Sequence, residues 1–383
     1  MKVVNLFFED RYGGPQKRAI QVAREIRARG VSTIIVLPEG SGNADQAAAQ
    51  EDVATARIDF CRTPRLTEFF QVIRWAILLP FDIVRFVRYY RLEAPDVAHV
   101  NGAFFIAPAL AAKISGIPVV WHLNDTIVPG KLAFFLGWLV RVLANEIVVA
   151  ARAVARHYCI PDGKYTVIFA PVDIEKIQQV KTRKHVTGAI PDAISIGLIA
   201  NWSPIKGVEF YVQAAALLRD RIDKPLRVLF AGQRMSNVEY CRKIEQLIDA
   251  CGLRPHVVDL GFIPHVEDFL AQIDVLVMSS TTEACPMSVL EAMAAGIPVV
   301  ATDVGGTREL LLEGDQKAGI IVPARDASAI ADALMEILQS PDVSKQMGTN
   351  GRRFAERKFS LDVCANRHVE VYRSACGQRV EGG

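Results

Sequence analysis

The sequence lacks several patterns that would place it in a class at once. Its seven cysteines are scattered, odd in number and never spaced as Cys-x-x-Cys, which favours reduced thiols over disulfides or a zinc motif. No stretch reaches 18 uninterrupted apolar residues, so a membrane-spanning helix is not expected. The net charge of +2 gives no reason to expect nucleic acid as a partner.

The motifs of two common site classes are also missing. No Asp-x-Asp triplet occurs and no His, Cys and Asp residues cluster at ligand spacing, so we expect neither a metal site nor a required cofactor. No Gly-x-Gly-x-x-Gly follows the first apolar segment, which argues against a dinucleotide-dependent dehydrogenase. The start, MKVVNLFFED, lacks the apolar core and cleavage site of a signal peptide, and this predicts a cytoplasmic protein, either free or peripheral on the inner face of the membrane.

What is present indicates two α/β domains. The chain has 383 residues, more than one hydrophobic core usually serves, and 51% of them are hydrophobic. Strand-like and helix-like segments alternate through the first half. A polar, basic stretch interrupts this pattern, and the alternation then resumes. This pattern predicts two doubly wound parallel sheets.

The boundaries follow from composition. We predict a first domain over residues 1–173, a linker over 174–193 and a second domain over 194–354. A final helix over 355–376 is expected to pack back on the first domain. Residues 39–56 are small and polar, which suggests a surface loop.

Two apolar segments of the first half are edged with basic residues. Residues 69–93 carry four arginines among Phe, Trp, Ile and Leu, and residues 131–144 have Lys131 and Arg141 around an apolar middle. Such helices either lie in a membrane interface or form buried core with the basic groups reaching out to water. Both interpretations stay open at this stage.

The most informative stretch is EACPMSVLE, with Glu283 and Glu291 eight positions apart. An apolar run, IDVLVMSSTT, precedes it, and a helix followed by PVVAT comes after it. Both carboxylates therefore lie where a strand gives way to a helix, at the edge of the sheet where open α/β folds hold ligands.

Together these segments resemble the retaining, nucleotide-sugar-dependent glycosyltransferases with the GT-B fold, in the group-one or family-four class. TTEACPMSVLEAMAAGIPVVATDVGGTREL is similar to that family's Glu-x7-Glu region and Gly-Gly turn, and IANWSPIKG is similar to its phosphate-binding loop. GGPQKRAIQVAREIRARG and PVVWHLND resemble its N-terminal glycine loop and histidine strand. The resemblance covers nearly the whole chain and implies two Rossmann-like domains around a central cleft.

The resemblance also implies roles for individual residues of the second domain. Glu291 would accept hydrogen bonds from the ribose hydroxyls, and Glu283 would lie beside the transferred sugar. Lys206 would face the diphosphate, as would the helix start at Pro286, Met287, Ser288 and Val289, where the proline has no N–H to offer. Thr307, Arg308 and Glu309 more simply begin a helix.

In the first domain the resemblance implies that Gly13 and Gly14 let the backbone approach the ligand and that His122 points into the cleft. His99 could equally be structural. Two departures stand out. Asn201 stands where relatives commonly have a phosphate-binding arginine, for which Arg234 is a candidate substitute, and Ala170-Pro171 replaces a usual Asn-Gly pair.

The resemblance implies a metal-independent transferase that moves a sugar from a nucleotide-diphosphate donor, bound by the second domain, to an acceptor bound by the first. A glycan or lipid-linked saccharide of the cell envelope is the expected acceptor. Two alternatives stay open: an epimerase or hydrolase of nucleotide sugars on the same fold, and a nucleotide-sugar-binding protein without activity.

Overall fold

The computed structural model describes residues 1–62, 69–179, 192–234 and 237–378, and they form two compact units. Unit 1 comprises Met1–Pro171 and Leu361–Gly383, and unit 2 comprises Val172–Ser360. Each unit is built on one parallel sheet, which confirms the predicted α/β class.

Unit 1 has a seven-stranded sheet in the order β3-β2-β1-β4-β5-β6-β7, and every pairing is parallel. Its strands are β1 (Lys2–Leu6), β2 (Ser32–Pro38), β3 (Ala54–Ile58), β4 (Val97–Asn101), β5 (Val119–Leu123), β6 (Glu146–Val149) and β7 (Thr166–Val167). Its helices are α1 (Gly14–Arg27), α2 (Ala44–Gln50), α3 (Phe69–Glu93), α4 (Ile106–Ile114), α5 (Gly130–Leu143), α6 (Arg152–His157) and α15 (Leu361–Ala375).

The last helix of the chain completes the core of unit 1. The apolar side of α15 packs beside α1, where Val371 and Tyr372 join Val3, Val97 and Val120 of the sheet in one buried cluster. Most strand residues are apolar on both faces of the sheet because helices cover both, as in other parallel sheets.

Unit 2 has a six-stranded parallel sheet in the order β10-β9-β8-β11-β12-β15 and a small antiparallel hairpin. Its strands are β8 (Ile194–Ile199), β9 (Leu226–Ala231), β10 (Val257–Asp259), β11 (Val275–Met278), β12 (Val299–Thr302), β13 (Leu312–Glu313), β14 (Gln316–Lys317) and β15 (Gly319–Val322). Its helices are α7 (Ile174–Gln179), α8 (Val208–Arg219), α9 (Val238–Ala250), α10 (Val266–Leu270), α11 (Met287–Ala295), α12 (Thr307–Leu311), α13 (Ala327–Gln339) and α14 (Pro341–Phe354).

The central strands of unit 2 place their carboxyl ends side by side. Strand β11 lies between β8 and β12, so the loops that follow these three strands meet at one edge. Helix α11, which follows β11, ends at Gly296 with a positive φ of 70°, a conformation that glycine adopts without strain. This topology brings distant parts of the sequence together at the edge.

The structure corrects the loop expected over residues 39–56. Residues 44–50 form α2 and residues 54–58 form β3, the edge strand beside β2. Ala44 and Ala48 are buried against Phe7 and Leu37, so small residues here make a closely packed helix rather than a loop.

The boundaries also differ in detail from those expected. Segment 174–193 begins with α7, which contacts α10 and α11, and its residues 180–191 lie outside the described part of the chain. The final helix does not start at 355. Residues Ala355–Phe359 form a short π-helical turn of unit 2, Ser360 is extended, and α15 then begins in unit 1.

Both basic, apolar segments are helices, α3 and α5. Within the described residues, no helix is long and apolar enough to cross a membrane.

Candidate functional site

Lys206 is held on a tight turn after β8. Residues Pro204–Lys206 form a single 3-10 turn, and Gly207 follows with a φ of 58°. A Cβ placed on Gly207 would lie 2.2 Å from the carbonyl oxygen of Ser279, so only glycine lets this turn lie against the loop after β11. The position of Lys206 is therefore fixed by its backbone.

Hydrogen bonds fasten the two loops to one another. The Ser279 hydroxyl donates to the Lys206 carbonyl at 3.1 Å, and the Thr281 amide donates to the Ile205 carbonyl at 2.8 Å. The loop after β11 thus holds the backbone of the turn that carries Lys206.

Lys206 and Glu283 form an ion pair. The Lys206 Nζ lies 2.6 Å from the Glu283 Oε1, and the Ser280 hydroxyl donates to the same oxygen at 2.8 Å. The two side chains are 29% and 13% exposed, so the pair is only partly shielded from water. The structure brings together two of the predicted residues that lie 77 positions apart in sequence.

The loop after β12 supports Glu283 from the other side. Gly305 has a φ of 54°, and a Cβ on it would lie 1.8 Å from the Glu283 carbonyl oxygen. The Gly306 amide donates to the Ala284 carbonyl at 2.9 Å. This close approach explains the glycine at position 305.

The start of α11 lies three residues beyond Glu283. Pro286 is the N-cap, and the Val289 amide already donates to the Pro286 carbonyl at 3.2 Å. Met287 and Ser288 are in the first turn, whose N–H groups have no carbonyl partner within the helix. Of the four predicted positions, the Met287 and Ser288 amides are thus the ones suited to an anion.

Glu291 lies on the second turn of α11 and is only 7% exposed. Its neighbours on the helix, from Val289 to Ala295, are buried as well. A carboxylate at such a place is fixed in position by the packing of the helix, as a hydrogen-bond acceptor for a ligand needs to be.

Asn201 supports a second turn at the same edge of the sheet. Its side-chain oxygen accepts a hydrogen bond of 2.8 Å from the Gln233 amide, which joins the loops after β8 and β9. Arg234 is next to it, stacked 4.6 Å from the centre of the Trp202 ring. The Arg234 guanidinium lies 2.8 Å from Asp259 and 2.6 Å from Glu245, so its charge is already balanced.

In unit 1, Gly13 is the N-cap of α1 and Gly14 is its first residue. Gly13 is extended, with a φ of −148°, and a Cβ on it would meet nothing closer than 3.4 Å. Neither strain nor crowding within the chain requires a glycine at position 13.

The structure corrects the expected direction of His122. Its side chain is fully buried, between Arg18 of α1, His99 of β4 and His368 of α15, and does not project into open space. The reason is that α15 returns to cover this face of the sheet. Burial, with Arg18 nearby, lowers the pKa of His122 well below its ordinary value.

The buried cluster has a definite hydrogen-bond order. A guanidinium only donates, so Arg18 Nη1 donates to His122 Nε2 at 3.1 Å. The neutral His122 ring then carries its proton on Nδ1 and donates to His99 Nε2 at 3.2 Å. His99 in turn donates from Nδ1 to the Tyr372 hydroxyl at 2.7 Å.

Sequence reasoning missed Ser280, which orients Glu283, and Arg18, which anchors the histidine cluster. Arg18 could have been noticed as a charged residue on the apolar side of α1, next to Ala19 and Val22. Among the described residues, no group of three or more His, Cys, Asp or Glu side chains could hold a metal ion.

Comparison with known sequences assigns both halves of the chain. The family profile described as glycosyl transferases group 1 matches residues 181–354, and the profile of a glycosyl transferase 4-like domain matches residues 13–164. Two solved structures show the same fold along the whole chain. Anabaena Alr3699/HepE in complex with UDP has a TM-score of 0.81, 20% identity, and coverage of 98% of this chain and 100% of its own. Sucrose-phosphate synthase from Thermosynechococcus elongatus has a TM-score of 0.76, 18% identity, and coverage of 97% and 98%.

The chain therefore belongs to the group 1 glycosyltransferases and has the GT-B fold. Among curated relatives, the D-inositol 3-phosphate glycosyltransferase of Corynebacterium urealyticum is 32% identical over 229 residues, 57% of this chain and 53% of that protein. The lipopolysaccharide core mannosyltransferase LpsB of Rhizobium meliloti is 27% identical over 246 residues, 62% of this chain and 68% of that protein. The chain spans about half the length of the first curated relatives that it matches.

Proposed function

We propose that this protein is a retaining glycosyltransferase that moves a sugar from a nucleoside-diphosphate donor to a glycan or lipid-linked acceptor. The observation that carries the proposal is the ion pair of Lys206 and Glu283, held by three loops just before the start of α11. A partly exposed ammonium group and a helix N-terminus at one sheet edge suit a diphosphate.

Lys206 supplies the positive charge. Its ammonium has three N–H donors, and Glu283 takes one of them. The others remain suited to diphosphate oxygens, while Glu283 keeps the ammonium from turning away. The Met287 and Ser288 amides would bind the same phosphates through the positive end of α11.

Glu291 would bind the nucleoside. A buried carboxylate on the second turn of α11 lies one turn beyond the phosphate-binding amides, and it can accept hydrogen bonds from both ribose hydroxyls. Arg234, beside Asn201, would add a weaker attraction for the phosphates, since Asp259 and Glu245 already balance its charge.

The reaction breaks the bond between the anomeric carbon and the diphosphate oxygen, and the diphosphate leaves with the electron pair. The acceptor hydroxyl oxygen bonds to the same carbon on the same face, and its proton passes to the leaving phosphate oxygen. Lys206 and the α11 amides stabilise the charge that develops on the leaving group. Glu283 stabilises positive charge on the sugar.

The donor and acceptor classes that we propose are taken from what similar proteins bind or are named for. HepE has been crystallised with UDP and with UDP-glucose, which makes a UDP-sugar the first donor to test. The curated relatives are named for inositol phosphate and for lipopolysaccharide core, so a hydroxyl of an envelope saccharide is the proposed acceptor. Unit 2 would bind the donor and unit 1 the acceptor.

The first experiment is a thermal-shift screen against UDP, GDP, ADP and their sugar conjugates. A ligand at 100 times its dissociation constant stabilises the native state by roughly 2.7 kcal/mol. We expect one nucleotide to raise the melting temperature of the wild type but not of Lys206→Ala or Glu291→Ala. Lys243→Ala, an exposed lysine of α9 paired with Glu239, is the matched control and should respond as the wild type does.

Incubation of the stabilising donor with and without acceptor saccharides then separates the activities. New glycoside formed only with acceptor supports the proposal. An isomerised donor without acceptor would identify an epimerase, free sugar a hydrolase, and an unchanged donor a binding protein. If folded protein responds to no nucleotide, the proposed donor site is wrong.

A further inference from the structure

One side of unit 1 exposes an apolar surface on two helices. On α3, five of the exposed apolar side chains, Phe70, Ile73, Ile77, Phe81 and Val84, follow one another at spacings of three and four that keep them on one face of the helix. On α5 they are Phe134, Phe135, Trp138 and Val142, where both phenylalanines lie three or four positions before Trp138 and Val142 lies four positions after it. We call these nine side chains the apolar surface.

The two helices lie in one layer. Right-handed crossovers from β3 to β4, β4 to β5 and β5 to β6 place α3, α4 and α5 on the same side of the sheet, and α4 contacts both of its neighbours. The opposite side carries α1 and α15. The nine side chains thus belong to helices of one layer, on one side of the sheet of unit 1.

The exposure is unusual for side chains of this size. Phe70 is 84% exposed, Ile77 62% and Phe81 61%, and the three apolar side chains at 134, 135 and 138 are each about half exposed. Folding in water favours the burial of such groups, since each fully buried one contributes roughly 1.5–3 kcal/mol. A surface of this kind marks an interaction site.

Basic residues outnumber acidic ones on the two helices that carry the apolar surface. Arg74, Arg88, Arg91, Lys131 and Arg141 are exposed on the same two helices. Helix α5 has no acidic residue, and the two acids of α3 are engaged, Asp82 with Arg85 at 3.0 Å and Glu93 with Lys2 at 2.7 Å. The surroundings therefore attract an anionic partner.

We propose that the apolar surface docks on an anionic lipid bilayer. Aromatic and aliphatic side chains edged by arginine and lysine are suited to the boundary between headgroups and acyl chains. A second copy of the chain fits less well, because a two-fold contact through this surface would bring its basic residues against each other. The proposal does not depend on the donor site.

Trp138 offers a direct probe of insertion. Of the four tryptophans, Trp121 and Trp202 are fully buried, Trp75 is partly buried and Trp138 is about half exposed. Entry of the apolar surface into the bilayer should shift the Trp138 emission to the blue and allow brominated acyl chains to quench it. Trp138→Phe should remove most of both signals.

The test is cosedimentation of the full chain with vesicles of phosphatidylcholine, either alone or with about one third phosphatidylglycerol. We expect binding to the anionic vesicles in low salt, weaker binding as salt screens the arginines, and little binding to neutral vesicles. Ile77→Ser with Phe81→Ser, and Phe134→Ser with Trp138→Ser, should each lower the partition constant by about tenfold or more. Arg88→Gln with Arg91→Gln should reduce the preference for anionic lipid.

Two controls isolate the surface. Val238→Ser removes an equally exposed apolar side chain from unit 2 and should bind as the wild type does. Lys206→Ala should also bind vesicles normally, so a failed donor site and a failed membrane site give different results.

No binding to anionic vesicles by folded wild type would overturn the proposal, and so would serine variants that bind unchanged. A wild-type dimer in solution that the serine variants turn into monomers, without vesicle binding, would assign the surface to a second copy instead.

Discussion

The two units share one architecture but use its polar residues differently. In unit 2 the charged groups, Lys206 and Glu283, lie at the carboxyl edge of the sheet and remain partly exposed. In unit 1 the notable polar groups, Arg18 with His99 and His122, are sealed inside between the sheet and two helices. A parallel sheet with helices on both sides thus supports either a reactive edge or a polar core, depending on whether a further helix covers that position.

The comparison extends to the glycines. Gly207 and Gly305 of unit 2 have positive φ and lie so close to backbone carbonyls that no side chain would fit. Gly13 of unit 1 has an extended backbone, and a Cβ on it would make only an ordinary contact, 3.4 Å from the Gln16 side chain. In unit 2 the backbone of the candidate site requires glycine at these positions. At position 13 the fold does not require glycine, and the close approach of a ligand is a different explanation for its presence.

Low pH should destabilise unit 1 more than unit 2, and this is the largest difference that we expect between them. Burial lowers the pKa values of His99 and His122, and it lowers the pKa of His368 to about 4. Because these pKa values are depressed in the folded state, the unfolded chain binds more protons as the pH falls below about 6.5, and stability is lost progressively below that pH. The loss due to His368 is complete below about pH 4. The three groups together contribute a slope of up to about 4 kcal/mol per pH unit.

Hydrogen exchange of β4, β5 and α15 against pH is the measurement, with the strands of unit 2 as the internal reference. His122→Gln should reduce the slope by up to about 1.4 kcal/mol per pH unit. Equal loss of protection in both units would contradict the assignment of the effect to the buried cluster.

Gly305→Ala should be the most damaging glycine change. The added methyl group meets the Glu283 carbonyl and imposes a strained φ, so we expect a loss of about 3 kcal/mol in the free energy of unfolding together with loss of nucleotide binding. Gly30→Ala, with a φ of 76° and nothing within 4 Å, isolates the backbone strain at about 1 kcal/mol.

Gly13→Ala completes this set and should leave the free energy of unfolding within about 0.5 kcal/mol of the wild type. Denaturant unfolding of the three variants gives the order. If Gly13→Ala were as destabilising as Gly305→Ala, the contrast between the units would be lost.

Arg234→Ala should have the smallest effect, a few-fold loss of nucleotide affinity, because Asp259 and Glu245 already balance the arginine. Arg254→Ala is the matched control, since Arg254 also pairs with Glu245 and is equally exposed. Calorimetric titration compares the two. A loss of a hundredfold or more would show that Arg234 fully replaces the arginine absent at Asn201.

The sequence was sufficient for the parts of the fold that local pattern controls. Alternating apolar segments predicted both sheets. The family resemblance, rather than any predicted strand order, assigned Lys206 and Glu283 to one donor site, and the order β8-β11-β12 is what places their loops at one edge. The prediction failed for residues 44–58, where small residues pack closely in α2 and β3. The prediction for His122 also failed, because His368 and Tyr372, which cover it, lie about 250 positions away in sequence. No pattern near His122 indicates that α15 packs over it.

The central claim is that Lys206 and the start of α11 recognise a diphosphate. The most direct test is calorimetric titration of wild type and Lys206→Ala with UDP and with UMP, which differ by one phosphate. We expect wild type to bind UDP at least about tenfold more tightly than UMP and Lys206→Ala to lose most of this difference. Equal affinity of wild type for UDP and UMP, or a difference that survives in Lys206→Ala, would contradict the central claim.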